Sequence, residues 1–233
     1  MNLQLFIPEL SLAAFAIAVI LLDLFVKRKG ILAGVSVAGL VVSAGFTVAL
    51  WGGEAKVIFN NMLAVDSFAL LFKLLFAGSA ILVVLVSVDY VSKMAKFQGE
   101  YYALVLLSTL GMMLMAATTE LISIYIALEL TVLSLCALVC LLKDQKSSEA
   151  ALKYLLLSAM VSAVLLFGMA LVFGVTGKTQ LGEIAQAVQA MSLANVAANP
   201  ALIMGIVLLI TGLGFKIAAV PFHMWVPDVY EGA

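Results

Sequence analysis

Residues 121–142 read LISIYIALELTVLSLCALVCLL, an apolar run interrupted by one charged side chain, Glu129. An α-helix needs about 20 apolar residues to cross the hydrocarbon core of a bilayer, so this run is long enough to span. The composition around it agrees. Hydrophobic residues make up 65% of the 233-residue chain and charged residues 11%, with a mean hydropathy of +1.24. Soluble domains average roughly 45–50% apolar and about 25% charged residues. The chain is read as an all-α, polytopic transmembrane bundle.

Outward from residues 121–142, six more runs reach spanning length: Leu3–Val26, Ile31–Trp51, Ser67–Val88, Tyr101–Thr118, Glu149–Val175 and Pro200–Trp225. The first is read as a permanent span rather than a secretory signal, because no Lys or Arg precedes it and its apolar core outlasts a signal's h-region. Between the last two runs, Gln180–Leu193 alternates apolar and polar residues at helical spacing, the pattern of a short amphipathic helix lying at an interface. Net charge is −1, which gives no reason to expect nucleic acid as a partner. The bilayer is the first partner, and proteins within it are the next.

Basic residues sort by loop. Lys27, Arg28, Lys29, Lys93, Lys96, Lys143 and Lys146 fall in one alternate set of loops, whereas the opposite set holds Lys56 and Lys178. The positive-inside rule makes the first set cytoplasmic and places the N-terminus outside.

Three lysines remain within spans. Lys73 lies about two turns into the third and is expected to snorkel to the outer headgroups. Lys153 sits one turn into the sixth with Glu149 four residues before it, the favourable order for a helix salt bridge, so a structural pair competes with a functional role. Lys216 is about 16 residues into its span and is still followed by Ile217, Ala218, Ala219 and Val220, which snorkelling explains poorly. Glu129 is equally deep. Alone in hydrocarbon, each of these two groups would tend toward its neutral form; facing each other across packed helices, each preserves the other's charge. A buried pair of this kind is weak evidence for stability, and intramembrane charges most often mark ion routes.

The stretch 212–233, GLGFKIAAVPFHMWVPDVYEGA, surrounds Lys216 with helix-weakening residues. Pro221 lacks an amide hydrogen and its ring clashes with the carbonyl of Ile217, while Gly212 and Gly214 loosen the preceding turn. The span is therefore expected to break near Lys216–Pro221, with its irregular backbone turned toward other helices, since lipid offers no hydrogen bonds. His223 follows Lys216 by seven residues, so on a continued helix it would share nearly the same face, roughly 10 Å along the axis, where an imidazole suits a proton relay.

Redox and nucleotide chemistry have no visible seat. Cys136 and Cys140, four apart on one span, are read as core residues, because a single histidine and no third cysteine leave no zinc or cluster set. No phosphate-binding glycine motif follows a strand. No cofactor is expected in this chain, and any electron transfer belongs to another subunit.

The segments LELTVLSLCAL around Glu129, SSEAALKYLLLSAMVSAVLLFGMAL around Lys153, the stretch 212–233 and FIPELSLAAFAIAVILLDLF near the N-terminus resemble the subunit N family of bacterial NADH-quinone oxidoreductase, respiratory complex I. The final PDVYEGA is similar to that family more than to its longer antiporter-like paralogues. The resemblance implies a proton-translocating subunit of the bacterial cell membrane. Its partners would be the other membrane subunits, while NADH, FMN, iron–sulfur clusters and quinone would belong to the holo-complex. It also implies that Glu129 and Lys216 match the proton path and that Lys153 matches a lysine that couples laterally. Residues 1–98 would then hold three supporting helices, and 99–233 part of the first antiporter-like repeat. Family members resemble a longer protein of two inverted repeats, so the chain is read as a fragment or partial gene model that by itself does not pump. The rival readings are a sodium/proton antiporter-type subunit, a membrane-bound hydrogenase ion-pumping subunit and a purely structural scaffold.

Overall fold

The computed structural model describes residues 3–26, 30–94, 96–191 and 198–233. The basic residues Lys27, Arg28 and Lys29, and Ser192 and Leu193 at the end of the expected amphipathic helix, lie outside the described residues. After a short 3-10 turn at Leu3–Phe6 come the long helices α1 (Ile7–Phe25), α2 (Gly30–Ala49), α3 (Ser67–Ser92), α4 (Gln98–Ala117), α5 (Leu121–Val139) and α6 (Gln145–Thr176). These six are long and apolar enough to cross a membrane. They are followed by α7 (Leu181–Gln189), α8 (Pro200–Lys216) and α9 (Trp225–Gly232). The fold is a polytopic helical bundle, as expected.

Polar residues at the span ends are mostly caps. A helix's first amides lack internal acceptors, and a side-chain oxygen just before the helix supplies one. Asp66 accepts from the Ala69 amide at 2.8 Å, Glu120 from the Ser123 amide at 3.0 Å, Asp144 from the Ser147 amide at 2.7 Å and Asn199 from the Leu202 amide at 3.1 Å. Hydrogen bonding, led by the Ser147 amide, holds the Asp144 carboxyl below its ordinary value. Pro200, at the first turn of α8, has no amide to leave unsatisfied.

One element was not legible as a span or a loop. Between α2 and α3, β1 (Lys56–Ile58) and β2 (Leu63–Val65) pair antiparallel, with Lys56 opposite Val65 and Ile58 opposite Leu63. The turn is made by Phe59, Asn60 and Asn61, all at positive φ. This hairpin stitches one end of the bundle together. The Thr119 amide donates to Met62 O at 3.0 Å, the Thr119 hydroxyl to Asn61 O at 2.6 Å and the Gln180 amide side chain to Asn60 O at 3.1 Å. Leu121 N to Thr179 O and Leu181 N to Thr119 O, each 3.0 Å, extend the stitching to the turns before α5 and α7. At the opposite end, Lys143 Nζ lies 4.3 Å from the Phe97 ring centroid, so the α3–α4 and α5–α6 connections share that side.

Among the described residues, two large apolar clusters fill the bundle, and a smaller one of Ile58, Leu63, Val65, Ala69, Leu70 and Ala117 lies under the hairpin. Leu12, Ala16 and Val19 of α1, Leu32 and Leu40 of α2, Val84 of α3 and Leu106 and Met113 of α4 form the first. Leu128 and Val132 of α5, Leu165, Met169 and Val172 of α6, Leu202 of α8 and Val229 of α9 belong to the second. The helix α4 packs on α1, α3 and α5, and so joins the two halves.

α8 packs chiefly along α6, and side-chain-free positions set the spacing. A Cβ added to Gly168 would stand 3.0 Å from Gly205 O, one on Gly205 would stand 3.0 Å from Val172 Cγ2, and one on Gly212 would stand 2.9 Å from Leu165 Cβ. Small residues allow such backbone approach, which is the main source of helix adhesion where lipid is as apolar as leucine. Gly212 therefore has a role other than the expected one. α8 stays regular through Gly212 and Gly214 up to Lys216, because α6 supports it from the side.

Candidate functional site

Glu129 is near the middle of α5, Ser162 near the middle of α6 and Lys216 the last residue of α8. Their side chains converge. Lys216 Nζ donates to Glu129 Oε1 at 3.2 Å and to Ser162 Oγ at 3.1 Å, and the Ser162 hydroxyl donates to Glu129 Oε1. The Lys216 side chain is 7% exposed and that of Glu129 21%. The expected proximity of acid and ammonium is thus present, and the contact is direct. Ser162 was not anticipated. Serines in apolar helices usually bond their own helix's carbonyls, as Ser134 does to Leu130 O at 2.7 Å, so a hydroxyl on another helix's carboxylate leaves no trace in the sequence.

The helix break falls where Pro221 predicts, with a cis Val220–Pro221 bond within it. The Ala219 amide donates to Gly214 O at 2.8 Å and the Ala218 amide to Phe215 O at 3.0 Å, the paired bonds of a Schellman cap with Ala218 at φ 53. The Trp225 indole N–H adds a second donor to Phe215 O, at 3.2 Å.

The irregular stretch faces other helices only in part: Ile217 is 78% exposed and Val220 80%, whereas Ala218 and Ala219 are half-buried. The turn satisfies carbonyls of the last helical turn with its own amides and with the indole of Trp225 on α9. The placement of His223 is corrected for a related reason. Because α8 stops at Lys216, helical spacing does not carry to residue 223, and His223 lies exposed in the turn between α8 and α9.

Lys153 makes the expected bond to Glu149, at 3.0 Å, and a second one to Asp228 of α9, at 3.3 Å. With Lys146 and Glu231 they line an open, polar cavity of about 190 Å³. Lys73 does not snorkel. It is 1% exposed and meets Glu9 of α1, 2% exposed, at 2.5 Å. The carboxylate of Glu9, in the first turn of α1, is close enough to hold the ammonium inside the bundle, so Glu129 and Lys216 are not the only charges buried here. Cys136 is buried, as expected of a core residue, and Cys140 is half-buried. Among the described residues, no group of three or more His, Cys, Asp or Glu side chains is placed to hold a metal.

Residues 118–233 match the family described as "NADH:quinone oxidoreductase/Mrp antiporter, TM". The chain is 49% identical to the NADH-quinone oxidoreductase subunit N of Dehalococcoides mccartyi, over 99% of this chain and 48% of that protein. It is 46% identical to the subunit N of Moorella thermoacetica, over 100% of this chain and 48% of that protein. The chain thus spans about half the length of the curated relatives it matches. Among solved structures, respiratory complex I from Thermus thermophilus with bound aureothin is similar with a TM-score of 0.78 and 33% identity, covering 97% of this chain and 47% of that one. The membrane-bound sulfane sulfur reductase, an archaeal respiratory membrane complex, is similar with a TM-score of 0.79 and 25% identity, over 99% of this chain and 47% of that one. Sequence and fold agree: the chain belongs to the NADH:quinone oxidoreductase/Mrp antiporter family of transmembrane subunits.

Proposed function

We propose that this chain carries a proton-translocating site of an NADH-quinone oxidoreductase membrane subunit, and that Glu129, Ser162 and Lys216 form it. One observation carries the reading: a lysine ammonium held by a carboxylate and a hydroxyl at mid-depth, at the end of a broken helix. A change of charge nearby loosens the Glu129–Lys216 contact, Lys216 loses the partner that favours its charged form, and its proton leaves. Ser162, which both accepts from Lys216 and donates to Glu129, supplies a hydroxyl through which that proton can pass. Lys153 is the group through which charge shifts arrive laterally. His223, exposed beyond the break, suits exchange with water on the side of Lys143 and Lys146, which the positive-inside rule makes cytoplasmic. Residues 1–98 support the unit, and 99–233 contribute to the first antiporter-like repeat.

Electron transfer from NADH to quinone, with its FMN and iron–sulfur clusters, takes place in other subunits of the assembly, and this chain couples to it electrostatically. The likeness to the sulfane sulfur reductase complex favours a second reading, in which the same ion chemistry serves a different redox partner. A genomic neighbourhood encoding quinone-reducing iron–sulfur subunits distinguishes the two.

The test uses the full-length protein in its assembled complex, reconstituted in liposomes. Lys216→Ala is expected to abolish most proton transfer per electron pair while assembly persists. Lys216→Arg is expected to fail as well, because guanidinium does not deprotonate. Wild-type pumping by Lys216→Arg overturns deprotonation of Lys216 as a step and reduces the residue to a fixed charge beside Glu129.

A further inference from the structure

Beyond the three-residue site, one aromatic side chain touches both functional regions. Trp225, the first residue of α9, stacks on Tyr154 of α6 with ring centroids 4.9 Å apart and planes 12° from parallel. Its other neighbour is Phe215 of α8, at 5.5 Å and 23°. Tyr154 follows Lys153 in sequence, and Phe215 precedes Lys216. The indole N–H also donates to Phe215 O at 3.2 Å. The first turn of α9 is thus fastened twice: Asp228 bonds Lys153 at 3.3 Å, and Trp225 holds the last turn of α8.

We infer that Trp225 is a positioning residue for Lys216, and that α9 transmits the state of the Lys153–Asp228 ion pair to the Glu129–Ser162–Lys216 site through it. The inference rests on the proposed proton site. The charged groups at the two ends differ in access. Lys216 faces Glu129 of α5 beside the Ser162 hydroxyl of α6, and both of its partners lie within the bundle. Lys153 faces Glu149 on its own helix and Asp228 on α9, with Lys146 and Glu231 across an open cavity, so its pairing responds to the aqueous side. When Asp228 releases Lys153, α9 loses its charged tether to α6. The Tyr154–Trp225–Phe215 stack is then the remaining aromatic link between α6, α9 and the turn that ends at Lys216. A displacement of the indole shifts the Phe215 ring stacked on it, one residue from Lys216. Rigid planar stacking suits this role, because two flat faces resist shear with few rotatable bonds.

The experiment compares Trp225→Ala, Trp225→Phe and Asp228→Asn in the full-length protein within its assembled, liposome-reconstituted complex. The readouts are the proton-transfer rate and its pH profile. Trp225→Ala is expected to slow transfer roughly tenfold, the scale of a typical coupling between sites, and to displace the profile. Trp225→Phe keeps a stacking ring and loses the N–H, and is expected to recover most of the rate. Asp228→Asn is expected to displace the profile in the wild type and to leave it unmoved in Trp225→Ala, since the link is already cut. Two results overturn the inference: a slower rate with an unchanged profile in Trp225→Ala, which marks a merely structural residue, or an equal Asp228→Asn displacement with and without Trp225. A wild-type rate in Lys216→Met, measured in parallel, instead overturns the proton site itself.

Discussion

Among the described residues, two lysine–carboxylate pairs lie inside this bundle, and they are built differently. Lys73 and Glu9 join α3 to α1 at 2.5 Å, both essentially inaccessible, each within a continuous helix. Lys216 and Glu129 meet at 3.2 Å with a hydroxyl shared between them, at a helix end, and the carboxylate keeps a fifth of its surface open. A closed pair with no neighbouring way out is a fixture. A looser pair with an alternative partner and a helix terminus can change its bonding without unpacking two helices. Burial of opposite charges is therefore common to both, and the surroundings set the proposed relay apart from a clamp.

The largest expected effect tests the clamp. Lys73→Met leaves the Glu9 carboxylate buried without its ammonium, and breaking a buried pair costs about 3–5 kcal/mol. Thermal unfolding of the full-length protein in detergent should show that loss, and Glu9→Gln combined with Lys73→Met should recover most of it. If the single variant is as stable as the wild type, the pair does not clamp the first helices. Next is the spacing that lets Lys216 reach Glu129. Gly168→Ala would push a Cβ to 3.0 Å from the Gly205 carbonyl oxygen, and overpacking of this kind costs about 1–3 kcal/mol. Because the obstacle is backbone, proton transfer is expected to fall along with stability; an unaltered rate would show that the α6–α8 separation is not critical.

Smaller effects follow inside the relay. Ser162→Ala removes one hydrogen-bonding hydroxyl, worth about 1 kcal/mol in stability, and is expected to slow proton transfer while Lys216 still contacts Glu129. A rate equal to wild type would remove Ser162 from the path. The smallest change concerns the cap. Ala218 holds a left-handed conformation at φ 53, which costs a residue with a Cβ about 1 kcal/mol relative to glycine. Ala218→Gly is expected to stabilise the break slightly, and a lower unfolding temperature would contradict the Schellman assignment.

The bundle was legible in the sequence because hydrocarbon forces every spanning backbone into helix, and apolar length reports that directly. The Glu129–Lys216 pair was legible for the same reason: charges are conspicuous where polar groups are scarce. Glu9 was not, since it lies near the start of a span, where a carboxylate ordinarily meets headgroups, and nothing in the sequence says that Lys73 packs against that turn. Pro221 announced the break, yet the direction in which it faces depended on Trp225 reaching back ten residues to Phe215 O, a long-range bond without a local signature. The hairpin had one cue, the adjacent Asn60 and Asn61, residues that tolerate positive φ.

The hairpin has a mechanical consequence. It ties the start of α5 and the end of α6 to the rest of the bundle through backbone bonds at one end only. Toward its other end, α6 is held to α9 by side chains, through the exposed Lys153–Asp228 pair and the Tyr154–Trp225 stack. With 32 residues, α6 is about 48 Å long at 1.5 Å per residue. Pivoting about its stitched end, a tilt of roughly 2° would move the other end by about 1.7 Å, by the same helix length. The middle of the helix, where Ser162 sits, would move about half as far. The hairpin thus fixes one end of α6, and any tilt of the helix would be taken up at the end that carries Lys153.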